Sequence, residues 1–213
     1  MNRLIAREVQ LSSRWIETCG LVEQLEKALN GPFLKGLNHP RIAFVGRSNV
    51  GKSTLINALL EAKLAQTSAE PGKTRLIHFY LSEKLHRILV DLPGYGFAKV
   101  SQADRDRWAE FINAYLKMDE GLDRALVLID SRNGPTAIDK QAIEFLSFAN
   151  IPVNFVCTKF DKLKTQAERV KRQREVEAAI KDMGFEKDKI FWTTGTDTRT
   201  LKELKAELLR KDK

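Results

Sequence analysis

The run Gly46-Arg47-Ser48-Asn49-Val50-Gly51-Lys52-Ser53 satisfies the pattern G-x-x-x-x-G-K-[ST], and it lies between the apolar segment RIAFV and the helix-forming TLINALL. No other feature restricts the fold as much. A glycine-rich passage from strand to helix lets successive backbone N–H groups converge on an anion, and the helix start adds its positive dipole end. Lys52 supplies a mobile charge for outer phosphates and Ser53 a hydroxyl for Mg²⁺, with Thr54 one step further around the α-phosphate. A turn that merely joined strand to helix would need neither the second glycine at this spacing nor Lys52-Ser53. The expectation is a phosphate cradle.

The rest of the pattern suits that cradle. Short apolar runs at 42–45, 76–81, 87–90, 125–129, 153–157 and 190–192 predict strands, most of them too uniformly apolar for a sheet with one solvated face. Helical stretches at 52–62, 104–117, 136–149, 165–183 and 200–210 alternate with them, the βαβ signature of a doubly wound sheet. The alternation breaks only between 76 and 90, where a short polar stretch around Ser82-Glu83-Lys84 predicts a hairpin and one antiparallel edge strand. The predicted fold is therefore α/β: a P-loop NTPase with about six strands, mainly parallel, and helices on both faces. Residues 1–38, with Leu21, Val22, Leu25 and Leu29 at helical spacing and a stop at Asn30-Gly31-Pro32, read as a helical appendage to a domain spanning 39–213.

Three later motifs address which nucleotide is bound and what it switches. Thr158-Lys159-Phe160-Asp161 follows the strand at 153–157; an Asp161 carboxylate can accept both the N1–H and the exocyclic amine of guanine, which adenine cannot offer, and a buried Asp161 would be left unpaired by adenine. Lys159 has a stem long enough to lie over the base, and Thr158 replaces the Asn more usual at the motif's first position. Asp91-Leu92-Pro93-Gly94 closes the strand at 87–90, where an acidic residue can hold Mg²⁺ through water and Gly94 can offer its N–H to a γ-phosphate. Thr74, within Gly72-Lys73-Thr74-Arg75-Leu76, sits in the polar loop after the cradle helix and is placed to coordinate Mg²⁺ when that loop closes.

In that order, GRSNVGKS, PGKT, DLPGYGFA and TKFD resemble the TrmE-Era-EngA-EngB branch of translation-factor-related GTPases, and most closely the EngB/YihA/YsxC ribosome-biogenesis GTPases. The resemblance covers residues 40–195. It implies a G domain binding GTP and GDP in the bacterial or organellar cytoplasm, assisting large-subunit assembly through rRNA, and linked to cell division and septation. It also implies nucleotide roles for 46–54, 72–76, 91–94 and 158–161, with Ser53 and Thr74 on Mg²⁺. The family has a Ser-Ser or Ser-Ala pair after the last strand where this chain reads Trp192-Thr193-Thr194. Related GTPases with Asn at the position of Asn49 can use K⁺ as a fixed charge beside the phosphates; loop stabilisation is the other reading of Asn49.

Ras-like GTPases orient the attacking water with Gln just after DxxG, whereas this chain has Tyr95, so slow intrinsic hydrolysis is expected. The net charge of +8 favours a polyanionic partner such as RNA but fits a merely soluble protein too. Arg169, Lys171, Arg172 and Arg174 read as a solvated helix face before they read as an RNA stripe. Cys19 and Cys157, far apart and without metal spacing, are expected to be free thiols. A monomer without a membrane span, signal segment or lipidation cysteine is expected, against the alternative of a signalling or trafficking GTPase that recruits proteins without RNA.

Overall fold

The computed structural model describes residues 13–66, 76–96, 102–194 and 197–210. A seven-stranded sheet runs through them in the order β1-β3-β4-β2-β5-β6-β7, the strands being β1 (Arg14–Cys19), β2 (Arg41–Gly46), β3 (Ile77–Ser82), β4 (Arg87–Asp91), β5 (Leu122–Asp130), β6 (Val153–Thr158) and β7 (Ile190–Trp192). Strands β4, β2, β5, β6 and β7 are parallel; β3 runs antiparallel to both of its neighbours.

About six strands were expected and seven are present among the described residues. The added one is RWIETC, from the stretch read as a helical appendage, and it pairs with β3 so that the antiparallel strand lies one place in from the edge. Its sequence hides it. Only Ile16 and Cys19 turn inward, and the register shifts between Trp15 and Glu17, so no clean alternation survives over six residues.

Among the described residues seven α-helices cover the two faces: α1 (Val22–Asn30), α2 (Pro32–Leu37), α3 (Lys52–Leu60), α4 (Gln102–Met118), α5 (Ala137–Phe148), α6 (Gln166–Asp182) and α7 (Thr198–Leu209). One core joins α1, α2, α4, α5 and α6 to the sheet through Leu25, Leu34, Tyr115, Ile143 and Val176. On the opposite face Leu55, Ile56 and Leu59 of α3 and Leu201, Leu204 and Leu208 of α7 build the second. A sheet covered on both faces needs apolar residues on both sides of each strand, which is why β2 and β6 are buried throughout.

The chain winds outward from β2 in both directions, to β4 and β3 on one side and to β5, β6 and β7 on the other. In open α/β sheets ligands bind beyond the carboxyl ends of the strands where winding reverses, and here that point lies at Gly46. The other end of the sheet is pinned by charge. Arg124 is almost wholly buried and donates to Asp123, Asn154 and Glu207, tying α7 to β5 and β6 far from the strand ends that matter for binding.

Candidate functional site

At the carboxyl end of β2 the backbone curls through Arg47 to Val50 and enters α3 at Gly51, whose φ of +106° only glycine adopts without strain. Asn49, exposed, holds a left-handed φ of +60°, a conformation asparagine tolerates better than most residues. Its identity therefore has a backbone reason independent of any cation. Lys52, Ser53 and Thr54 occupy the first turn of α3.

The DLPG segment is stitched to this loop. Leu92 N donates to Phe44 O (3.3 Å), Tyr95 N to Gly46 O (3.2 Å) and Ser48 N to Tyr95 O (3.0 Å), so the pairing of β4 with β2 continues past both strands as a bridge between Arg47 and Tyr95. Gly94 backs directly onto Ser48. A methyl group there would lie 2.9 Å from Ser48 Oγ and 3.1 Å from its Cα, too close to be accommodated without moving backbone. The Lys52 ammonium is paired with the Asp91 carboxylate, both largely buried. Asp91 and the Ser53 hydroxyl are hard oxygen donors of the kind Mg²⁺ takes, few in number as that ion prefers.

Tyr95 does not stand in for a water-orienting amide. Its ring is buried and its hydroxyl donates to Asp139 Oδ1 at 2.9 Å; burial, then the Asp139 charge, push its ionisation far above the ordinary phenol range. Asp139, fully buried at the start of α5, also accepts from Thr136 N (2.8 Å) and Thr136 Oγ (2.7 Å), with Arg47 Nε at 3.4 Å. Three segments thus meet on one carboxylate.

The TKFD loop reaches the cradle from the other side. Thr158 Oγ donates to Val50 O at 2.6 Å, with Ile129 O further off at 3.3 Å, so the residue in place of the usual asparagine bonds the loop to the cradle itself. Lys159, with φ +57°, sends its ammonium to Asn49 O (2.5 Å) and to Asp130 Oδ2 (3.0 Å). Burial alone would raise the Asp130 carboxyl, but hydrogen bonds from Arg132 and Lys159 outweigh it and hold it at about 2. Asp161 is exposed and paired with Lys162 at 3.2 Å rather than buried, so its carboxylate is open to a base. Trp192 packs on Phe160 (centroids 5.1 Å apart), Phe160 N donates to Thr193 O (3.4 Å), and Thr193 N donates to Cys157 O (2.8 Å), which sets Trp192-Thr193-Thr194 beside TKFD.

The structure therefore brings together 46–54, 91–94, 158–161 and 192–194. Gly72, Lys73, Thr74 and Arg75, and Phe97 and Ala98 at the end of DLPGYGFA, lie outside the described residues; Leu76 is described and flanks β3. Asp130 and Asp139 were missed in the sequence, since each acts on a motif 29 and 44 residues away and belongs to no pattern of its own. Both cysteines are free and buried. Of the α6 cations, Lys171 and Arg174 are exposed, as a solvated face requires, while Arg169 and Arg172 are half-buried: Arg169 Nε donates to Leu163 O with its guanidinium 5.7 Å from the Phe160 ring centroid, and Arg172 donates to Arg132 O. Among the described residues no helix is long and apolar enough to cross a membrane.

A family model described as 50S ribosome-binding GTPase matches residues 41–159, more than half of the chain. The "Probable GTP-binding protein EngB" of Chlorobaculum tepidum is 44% identical over 160 residues, which are 74% of this chain and 81% of that protein. The chain belongs to the EngB family of GTP-binding proteins. As an EngB-type GTPase it also resembles solved structures. A crystal structure of a probable GTP-binding protein engB superposes with a TM-score of 0.59 at 26% identity, covering 80% of this chain and 98% of the other. Era in complex with MgGDPNP and nucleotides of 16S ribosomal RNA gives 0.62 at 25% identity over 80% of this chain and 55% of that one.

Proposed function

We propose that this EngB-type GTPase is a slow, Mg²⁺-dependent GTP switch that acts, as a monomer in the cytoplasm, on the large ribosomal subunit or its precursor. The observation that carries the switch is the convergence of two loops on one backbone turn: Tyr95 bonded to Gly46 and Ser48, and, from the TKFD loop, Thr158 to Val50 and Lys159 to Asn49. Residues 46–54 then hold the phosphates, with Lys52 exchanging Asp91 for phosphate oxygens. Gly94, lying against Ser48, offers its N–H at the γ-phosphate end, a contact that only the triphosphate makes. Lys159 and Asp161 take the guanine, and Trp192-Thr194 line its far side. Thr74, Gly72, Lys73, Arg75 and Leu76 belong to the loop that would order around the triphosphate.

Mg²⁺, held by Ser53 with Thr74 and through water by Asp91, would neutralise charge between the phosphates; the bound form of Era carries the same ion. Slow hydrolysis follows from Tyr95, whose hydroxyl is committed to Asp139. The catalytic group then comes from ordering of the switch loop, a ribosomal partner or a K⁺ ion beside Asn49. Equal single-turnover rates in NaCl and KCl would eliminate the ion.

The ribosomal partner is supported by the family description, by an rRNA-bound neighbour and by the net charge of +8. A link to cell division and septation would follow from a shortage of ribosomes. Sucrose-gradient sedimentation with a non-hydrolysable GTP analogue tests the reading. Co-migration with large subunits, lost with GDP, is the expected result; no co-migration in either state would favour a GTPase that recruits proteins without RNA.

A further inference from the structure

Nothing in the G-x-x-x-x-G-K-[ST], DxxG or TKFD patterns concerns the end of β5, yet its last residue touches the base loop. We propose that Asp130 is a positioning residue for guanine binding: it holds Lys159 extended across the mouth of the site so that the lysine stem forms one wall of the base pocket. This rests on the assignment of TKFD to guanine made above.

The geometry is specific. Asp130 is 4% exposed, and its carboxylate is divided between two cations. Oδ1 accepts from Arg132 N (3.0 Å) and Arg132 Nε (2.9 Å); Oδ2 accepts from Arg132 Nη2 (2.7 Å) and Lys159 Nζ (3.0 Å). The ammonium also donates to Asn49 O at 2.5 Å, so its tip is fixed between β5 and the phosphate loop while its stem crosses the gap between them. A lysine tip held by a carbonyl alone is free to exchange that bond for water and swing into solvent, taking the wall with it. A second, anionic partner in a largely buried place suppresses that exit. The two partners also couple the pocket's two ends, since Asn49 belongs to the loop that receives phosphate.

Asp130→Asn is close in shape and keeps an acceptor for Arg132 N, so it removes the anion while preserving the turn. The inference predicts that it weakens GDP and GTP alike by about tenfold, because the base is common to both and one charge-assisted bond is lost. The deciding measurement is a double-mutant cycle on GDP affinity with Lys159→Met, which keeps an apolar stem and deletes the ammonium. In the Lys159→Met background Asp130→Asn is expected to add nothing. An equal loss with or without the ammonium would overturn the proposal, as would no loss from Asp130→Asn alone. Arg132→Ala supplies a second arm at an exposed residue: affinity held or improved supports the proposal, and a loss matching Asp130→Asn would place the effect in the 130–132 turn and overturn it. If Lys159→Met binds GDP as tightly as the native chain, the ammonium does not hold the wall and the proposal fails; if Lys159→Ala does so too, the lysine is no part of the base pocket and the parent assignment fails with it.

Discussion

Asp161 is exposed beside Lys162, and on the function proposed above it would read the base through the carboxylate's two acceptor oxygens once a nucleotide covers them. Asp161→Asn replaces one acceptor by a donor, which mismatches the guanine amine and matches the carbonyl of xanthine. Affinity for GTP is expected to fall on the order of a hundredfold, two charge-assisted hydrogen bonds at about 1.5 kcal/mol each, while xanthosine triphosphate gains. Competition between the two nucleotides for the variant checks this; unchanged preference for GTP would show that another group reads the base. At the same scale, Thr158 explains its departure from the usual asparagine. One hydroxyl bonded to Val50 O performs the bracing that an amide would otherwise supply.

The continuation of β4 beyond Asp91 behaves as an element in its own right, because two backbone hydrogen bonds and the Tyr95 side chain fasten it between the phosphate loop and the start of α5. Tyr95→Phe removes only the oxygen that reaches Asp139. Loss of a buried hydrogen bond to a charged group costs about 2 kcal/mol, and for a chain of this size the thermal midpoint is expected to drop by about 4–8 °C. Turnover per bound GTP should stay within about threefold, whereas a phenol engaged in proton transfer would lose about a hundredfold or more. Paired calorimetry and single-turnover assays on this one variant separate the two roles. The position after DxxG is thus an anchor in this chain, a role visible only once α5 is packed against it.

Across the whole molecule, acidity should act first on the join between β1 and β3. Trp15 Nε1 donates to Thr18 Oγ, leaving the threonine hydroxyl to face His78 Nδ1 at 2.8 Å. Burial depresses the ionisation of His78, and the Lys52 charge adds to that while Asp91 opposes it. A depressed histidine binds protons more readily unfolded than folded, so stability is full above its unfolded value near 6.5 and declines as the pH falls below it. Solvent access makes the slope smaller than the roughly 1.4 kcal/mol per pH unit of a sealed site. Asp130 contributes in a separate window: its stabilisation is present above about pH 4 and is lost only as the pH falls towards 2. Thermal midpoints at pH 7.5, 6.5 and 5.5 should therefore fall in the native chain and flatten in His78→Gln; identical slopes would remove His78 from the explanation.

Much of this architecture could be read from the chain. Doubly covered strands are uniformly apolar and so announced themselves, and the segments 46–54, 91–94 and 158–161, picked out by residue type and spacing, do meet at one end of the sheet. What stayed hidden is of another kind. β1 is short, half exposed and irregular in register, and Asp130, Asp139 and the Tyr95 anchor are pairs made by folding across 29 to 44 residues. Local periodicity carries no record of such meetings.

The place of β1 outside β3 has one more consequence. IHFYLS is buried on both sides along most of its length and would, uncovered, present a row of free backbone donors and acceptors to any extended chain. β1 closes that row and substitutes a poor template, interrupted between Trp15 and Glu17 and begun by the exposed Arg14, while the opposite margin of the sheet is a strand of only three residues. Removing β1 would uncover the outer row of β3 and convert a protected margin into one open to pairing with another chain, on the side of the sheet opposite β7.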